Sequence, residues 1–234
     1  MNRTWAQVAL FAAALGFDSW CTSPAKADPP TSGQIRTSQN NLKQMALAMM
    51  NYADTNRGRM PNNVYDRNGK SLLSWRVLIL PYIEQDKLYK EFKLDEPWDS
   101  EINKKLVSRM PKLFAPVRVK AKEGETFYQV FSGEQAPFRP NKPTIFPASF
   151  PDGTANTGLI YEAGEPVIWS KPDDLLYEDK KPLPKLGGMF DGDFNVALAD
   201  GSVMLCKKDA DIGEMRKLIM PADGQPINMD KLKK

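Results

Sequence analysis

Phe194-Asn195-Val196-Ala197-Leu198-Ala199-Asp200-Gly201-Ser202-Val203-Met204-Leu205-Cys206 reads as two short strands around a turn. Side chains alternate across a strand, so Phe194, Val196 and Leu198 share one face. Val203 to Cys206 makes the return strand. Asp200-Gly201 suits a two-residue type I′ loop, which needs positive φ. A hairpin fixes antiparallel pairing, and the remainder of the chain can be read outward from it.

Just upstream the period stays near two. Thr126 to Phe131 alternates as a half-buried strand does. Gly158 to Ala163 and Pro166 to Ser170 follow as strands, with Glu165-Pro166 between them. Gly133 to Pro151 carries Pro137, Pro140, Pro143, Pro147 and Pro151, and repeated proline predicts a long loop. Lys171 to Lys185 is charged and Pro-rich, which predicts a surface excursion.

Further toward the N-terminus the period becomes helical. Leu42, Met45, Met49 and Tyr52/Ala53 form one apolar stripe between Ser38, the expected N-cap, and Thr55. Asn40, Lys43, Gln44 and Asn51 face the other way. Ser74 is the expected cap of a short helix that Pro81 limits. Glu84 to Phe92 continues as helix, burying Leu88 and Phe92. Asp99 is expected to cap a helix to Arg109, with Ile102 and Leu106 inward. Asp211 to Met220 is the last helix. Helices first, then antiparallel strands, then one helix predict an α+β fold. Residues 28–37 read as a leader and 38–230 as one domain.

Composition excludes several chemistries. The 234 residues contain no histidine, which rules out a Ser-His-Asp triad, a Cys-His pair and a His-containing zinc site within the chain. The 32 basic and 29 acidic residues nearly balance, and the composition gives no basic cluster with a polyanion footprint. Nucleic acid is therefore not an expected partner. Residues 1–27 read as a secretory signal peptide: Arg3, a short apolar run from Val8 to Phe17 broken by Asp18, and Ala25-Lys26-Ala27 as the cleavage pattern. Cleavage would remove Cys21, leave Cys206 as a buried structural thiol, and leave no stable membrane span. The expected destination is periplasmic, cell-surface or extracellular.

Several segments in shared order resemble a known family. They are Asn40-Asn41-Leu42-Lys43-Gln44, Ser74-Trp75-Arg76-Val77, Leu80-Pro81-Tyr82-Ile83-Glu84-Gln85 and Pro97-Trp98-Asp99-Ser100. Asp152-Gly153-Thr154-Ala155-Asn156-Thr157, Glu162-Ala163-Gly164-Glu165 and the 194–202 hairpin continue the series. The chain resembles the planctomycete family called domain of unknown function 1559, also labelled bacterial extracellular solute-binding protein. The resemblance runs from about residue 38 to about residue 230. It implies a pseudopilin-like, exported body: an N-terminal helix on an antiparallel sheet, with short helices between and at the C-terminus. It also implies an envelope role, either structural and protein-binding or solute-binding. The chain departs from the family in having no prepilin-peptidase site. It also carries Met50 and Phe190 where many members have histidine.

Candidate chemistry is sparse, and no catalytic residue or cofactor-binding motif is recognised. Asp152 with Asn156, and Asp191 with Asp193, are oxygen-rich turns that could hold Ca²⁺, the one cofactor suggested. The same residue types also build turns without an ion. Glu162 and Glu165 could pair for acid–base work on a glycan, or be solvated turn charges. Trp75, Tyr82, Trp98 and Trp169 are either core or a ligand and partner surface. Arg76 and Glu84 read as surface charges or a structural pair. These residues favour an exported, non-enzymatic interaction protein over a solute-binding protein or a glycan hydrolase.

Overall fold

The computed structural model describes residues 28–234. The expected signal peptide, with Arg3, Asp18, Cys21 and the Ala25-Lys26-Ala27 pattern, lies outside the described residues.

Helix α1 spans Ser32–Thr55. It starts earlier than Ser38 because Thr31 supplies a complete capping box. The Thr31 hydroxyl accepts the Gln34 N–H at 3.2 Å, and the Gln34 side chain accepts the Thr31 N–H at 3.0 Å. The expected leader is thus helical from residue 32. Ser38 is a buried member of the inward stripe with Leu42, Met45 and Met49.

A small hairpin follows, β1 (Val64–Tyr65) and β2 (Ser71–Leu73). Ser74 caps α2 (Trp75–Leu78), as its spacing predicts. Pro81 sits in a 3-10 turn, Leu80–Ile83, and Glu84 adopts a left-handed φ of 61°. That turn delays α3 to Asp86–Glu91, with Leu88 and Phe92 buried as expected. The helix expected after Asp99 is a 3-10 segment, Asn103–Arg109, without a side-chain cap. Leu106 points inward, but Ile102 is 41% exposed. Buried Asn103 takes the anchoring role, receiving the Lys93 N–H and donating to the carbonyls of Lys93, Glu96 and Pro97.

The second half builds β3 (Glu125–Gln129), β4 (Phe131–Ser132), β5 (Gly158–Ile168), β6 (Leu175–Leu176), β7 (Phe194–Leu198) and β8 (Val203–Cys206). Strands β3-β5-β7-β8 form one antiparallel sheet in that order. The fold is α+β, as the element order predicts. The Pro-rich stretch between β4 and β5 is long and holds no strand. The strands expected on either side of Glu165-Pro166 are one strand. Pro166, which lacks an N–H, lies in a bulged stretch where Glu162–Val167 spans only Thr126–Tyr128. The 171–185 excursion is anchored. Its β6 pairs in parallel with β4, and Leu175 and Tyr177 are buried.

Both faces of the sheet are covered. Leu42, Met45 and Met49 of α1 share one apolar cluster with Leu159, Ile160, Ala197 and Ala199. On the other side, Phe194, Val196 and Leu198 join Tyr161, Met204 and Cys206. They meet Met215, Leu218 and Ile219 of α4 (Ile212–Ile219). The expected alternation of β7 holds, but both of its faces are buried. Thr126–Gln129 of β3 is buried on both faces for the same reason. Each large apolar side chain so enclosed contributes about 1.5–3 kcal/mol.

The 194–206 hairpin turns through three residues rather than two. Leu198 accepts the Gly201 N–H at 2.9 Å and donates its own N–H to Ser202 at 2.8 Å. Only Gly201 is left-handed, at φ 84°, giving a type I turn closed by a glycine bulge. The Asp200 carboxylate accepts the Ser202 N–H and hydroxyl at 2.9 and 2.7 Å, which steadies the turn.

Candidate functional site

The polar groups that sequence offers for chemistry are drawn into two buried networks, and both end on Tyr128. The first fastens α1 to the sheet. Glu162 of β5 points toward α1 and is fully buried. The Ser38 hydroxyl donates to its Oε1. Asn195 of β7 donates its backbone N–H to Oε2 at 2.7 Å and its Nδ2 to Oε1 at 3.0 Å. Gln39 of α1 donates Nε2 to the side-chain Oδ1 of Asn195 at 3.0 Å. The Tyr128 hydroxyl lies 2.7 Å from Ser38 Oγ. Burial pushes the Glu162 carboxyl up to about 7, against the downward pull of its hydrogen bonds from Ser38 and Asn195. Burial likewise raises the Tyr128 phenol.

The second network seals the outer edge of β3. Arg76 donates Nε to the Tyr128 carbonyl at 2.9 Å and Nη1 to Ser74 Oγ at 2.7 Å. Its Nη2 lies 3.0 Å from Asp174. Asp174 also accepts from the Trp75 indole at 3.2 Å, the Val130 N–H at 3.3 Å and the Asn63 amide at 3.2 Å. Burial pushes the Asp174 carboxyl up, and Arg76 with these donors pulls it back. Arg76 is therefore a structural pair, as one sequence reading allowed. Its partner is Asp174, not Glu84, and neither side chain is at the surface.

The other expected residues scatter. Glu165 is exposed while Glu162 is sealed, so the two carboxylates do not converge on one cleft. The reading of both as solvated turn charges fails for Glu162. Trp75 and Trp169 are core. The Trp169 indole donates to the Val107 carbonyl at 2.9 Å, and its ring stacks on Phe114 at 5.8 Å. Trp98 is half-buried, with the Lys171 ammonium 6.0 Å from its ring. Tyr82, partly exposed like Trp98, lines an open groove.

The oxygen-rich turns are engaged internally. The Asp152 carboxylate accepts the N–H groups of Asp223 and Gly224, and Asn156 donates to the Asp152 carbonyl. Asp191 meets Arg118 at 2.8 Å. Asp193 accepts the Lys208 N–H at 3.0 Å and pairs with Lys234. Among the described residues, no three Asp, Glu, His or Cys side chains are grouped to hold a metal.

Among several open cavities, a groove runs along the outer flank of α1. One section, of about 500 Å³, lies between Gln44, Leu47 and Ala48 and the segments Tyr82–Gln85 and Pro111–Leu113. A second, of about 460 Å³, continues past Thr37 and Asn41 to Ala115–Val117 and shares Gln44, Lys112 and Leu113 with the first. Leu47 is 57% exposed. Sequence reasoning missed this groove. Its signals were Tyr82, already a candidate surface aromatic, and Leu47, an apolar residue on the polar side of the α1 pattern.

Residues 36–151 match the model of a family described as "Protein of unknown function (DUF1559)", whose short name is a bacterial solute-binding label. This is the family that the sequence resembles. No curated protein and no solved structure matches the chain. No helix among the described residues is long and apolar enough to cross a membrane.

Proposed function

We propose that this chain, whose residues 36–151 belong to the DUF1559 family, is an exported, non-enzymatic interaction protein with a pseudopilin-like helix-on-sheet body. One observation carries the reading. The fully buried carboxylate of Glu162 spends its hydrogen bonds fastening α1 to β7, while an open groove lies on the outer flank of that same helix. A general acid or base must reach its substrate, and Glu162 is enclosed on every side. A rigidly mounted helix beside an open groove instead suits recognition of another protein. The test places a photocrosslinking residue at Leu47 in the native host, with Leu176 as an equally exposed control outside the groove. A discrete protein adduct from position 47 alone is expected. Indistinguishable patterns from the two positions overturn the reading.

A second reading has one observation in its favour. A groove of about 500 Å³ falls within the roughly 300–1,000 Å³ of small-molecule sites, and the family carries a solute-binding label. Against it, such sites enclose most of their ligand, and solute-binding proteins usually close two lobes on it. This groove is open, and the two apolar clusters lie on opposite faces of one sheet. A solute that raises the melting temperature of the wild type but not of Leu113→Arg would favour this reading.

A further inference from the structure

Between Glu101 and Glu123 the chain places seven cations and no carboxylate: Lys104, Lys105, Arg109, Lys112, Arg118, Lys120 and Lys122. The remaining 25 of the 32 cations face all 29 carboxylates of the chain. The near-neutral total therefore conceals a strongly segregated charge, and the absence of a basic cluster expected from composition is corrected. Arg109 pairs with Glu91 and Arg118 with Asp191. The five lysines are exposed and have no ion-pair partner among the described residues.

This stretch forms one wall of the groove, through Pro111–Leu113 and Ala115–Val117. The facing wall carries Asn41 and Gln44 of α1, and Gln85 lines the first section together with Glu84, the one carboxylate of the groove. Side-chain amides both donate and accept, so they can pair with an extended main chain. Lysines without partners are point charges suited to carboxylates that vary in position, rather than to one planar anion. The only aromatic within residues 102–122, Phe114, is buried, so this wall offers no stacking platform for nucleic-acid bases.

We propose that the groove beside α1 receives an extended, acidic peptide segment of a protein partner. Its backbone would lie against Asn41, Gln44 and Gln85, and its carboxylates against Lys112, the one lysine that lines the groove, and beyond the groove against the exposed lysines of the same chain segment. The inference rests on the interaction reading above and names the chemistry of the partner.

The test measures binding of a fluorescent glutamate-rich peptide by anisotropy, with a neutral peptide of equal length as reference. A sulfated polysaccharide, duplex DNA and anionic lipid vesicles serve as competing anions. Binding of the acidic peptide is expected, weakening as salt is raised, while the neutral peptide stays unbound. Lys112→Glu with Lys120→Glu should lower affinity about tenfold or more. The matched change Lys180→Glu with Lys181→Glu, outside the groove, should leave it unaltered. Melting curves of both variants confirm folding.

Equal loss in the two double variants, or stronger binding of polysaccharide, DNA or vesicles than of the peptide, overturns the proposal. If the peptide fails while position 47 still yields its protein adduct, only the acidic class of partner falls. If both fail, the interaction reading falls with it.

Discussion

Arg76 and Asp174 lie 3.0 Å apart with essentially no side-chain exposure, and together they stand where a neighbouring strand would. The guanidinium donates to the carbonyl of Tyr128, and the carboxylate accepts the N–H of Val130 two residues on. An ion pair thus occupies the edge of β3 and closes it to pairing with another chain. Removing one partner strands a buried charge. Arg76→Ala should cost about 3–5 kcal/mol, read from the urea midpoint. Arg76→Met with Asp174→Leu should cost less than the sum of the two single changes, since neither charge is then left alone. Additive losses would show that the residues act separately.

Cys206 should behave as an inert thiol. It is buried in β8, and burial pushes it up to about 12, with the Glu162 charge adding to the shift. The thiolate is the reactive form, so alkylation in native buffer should be slow and should track unfolding. Peptide mapping after iodoacetamide treatment measures this. Rapid native labelling at Cys206 would place the thiol at the surface instead.

The sequence made local relationships legible and long-range ones illegible, and particular residues show why. The Phe194–Cys206 hairpin was readable because strand period and turn chemistry lie within a few residues. Even there the turn type was misread, since Asp-Gly suits a two-residue loop as well as a glycine bulge. Ser38 looked like a cap because serine is a cap residue. Its true partner, Glu162, is 124 positions away and leaves no local trace. Arg76 and Asp174 are separated by 98 positions, inside a stretch whose charge and proline argued for the surface. The lysine run was present in the sequence, but a balanced total charge masked it.

The start of α1 gives a prediction that separates the sequence reading from the structure. Thr31→Val keeps size and removes the hydroxyl that accepts the Gln34 N–H. Loss of such a cap costs about 1 kcal/mol. Hydrogen exchange at Ile35 to Ser38 should accelerate, while amides from Met45 onward stay protected. If the helix began at Ser38, this substitution would change neither stability nor exchange.

Glu162 makes stability fall as pH rises through neutrality. Its carboxyl stands at about 7 in the folded protein against 4.5 for the ordinary side chain, with burial as the main cause. The folded state therefore binds the proton more tightly than the unfolded chain. The resulting stability is complete below about pH 4.5 and is lost as pH rises through about 7. The loss is on the order of 3 kcal/mol. When protonated, Oε1 can donate to Ser38, whose own hydroxyl then turns to Tyr128. The chain has no histidine, so no imidazole titration overlaps this interval. Urea midpoints of the wild type should decline across it, and those of Glu162→Gln should decline distinctly less, the raised Asp174 carboxyl remaining in both proteins. Parallel declines in the two proteins would mean that the proton is held elsewhere and that the fastening of α1 does not depend on this carboxyl's charge.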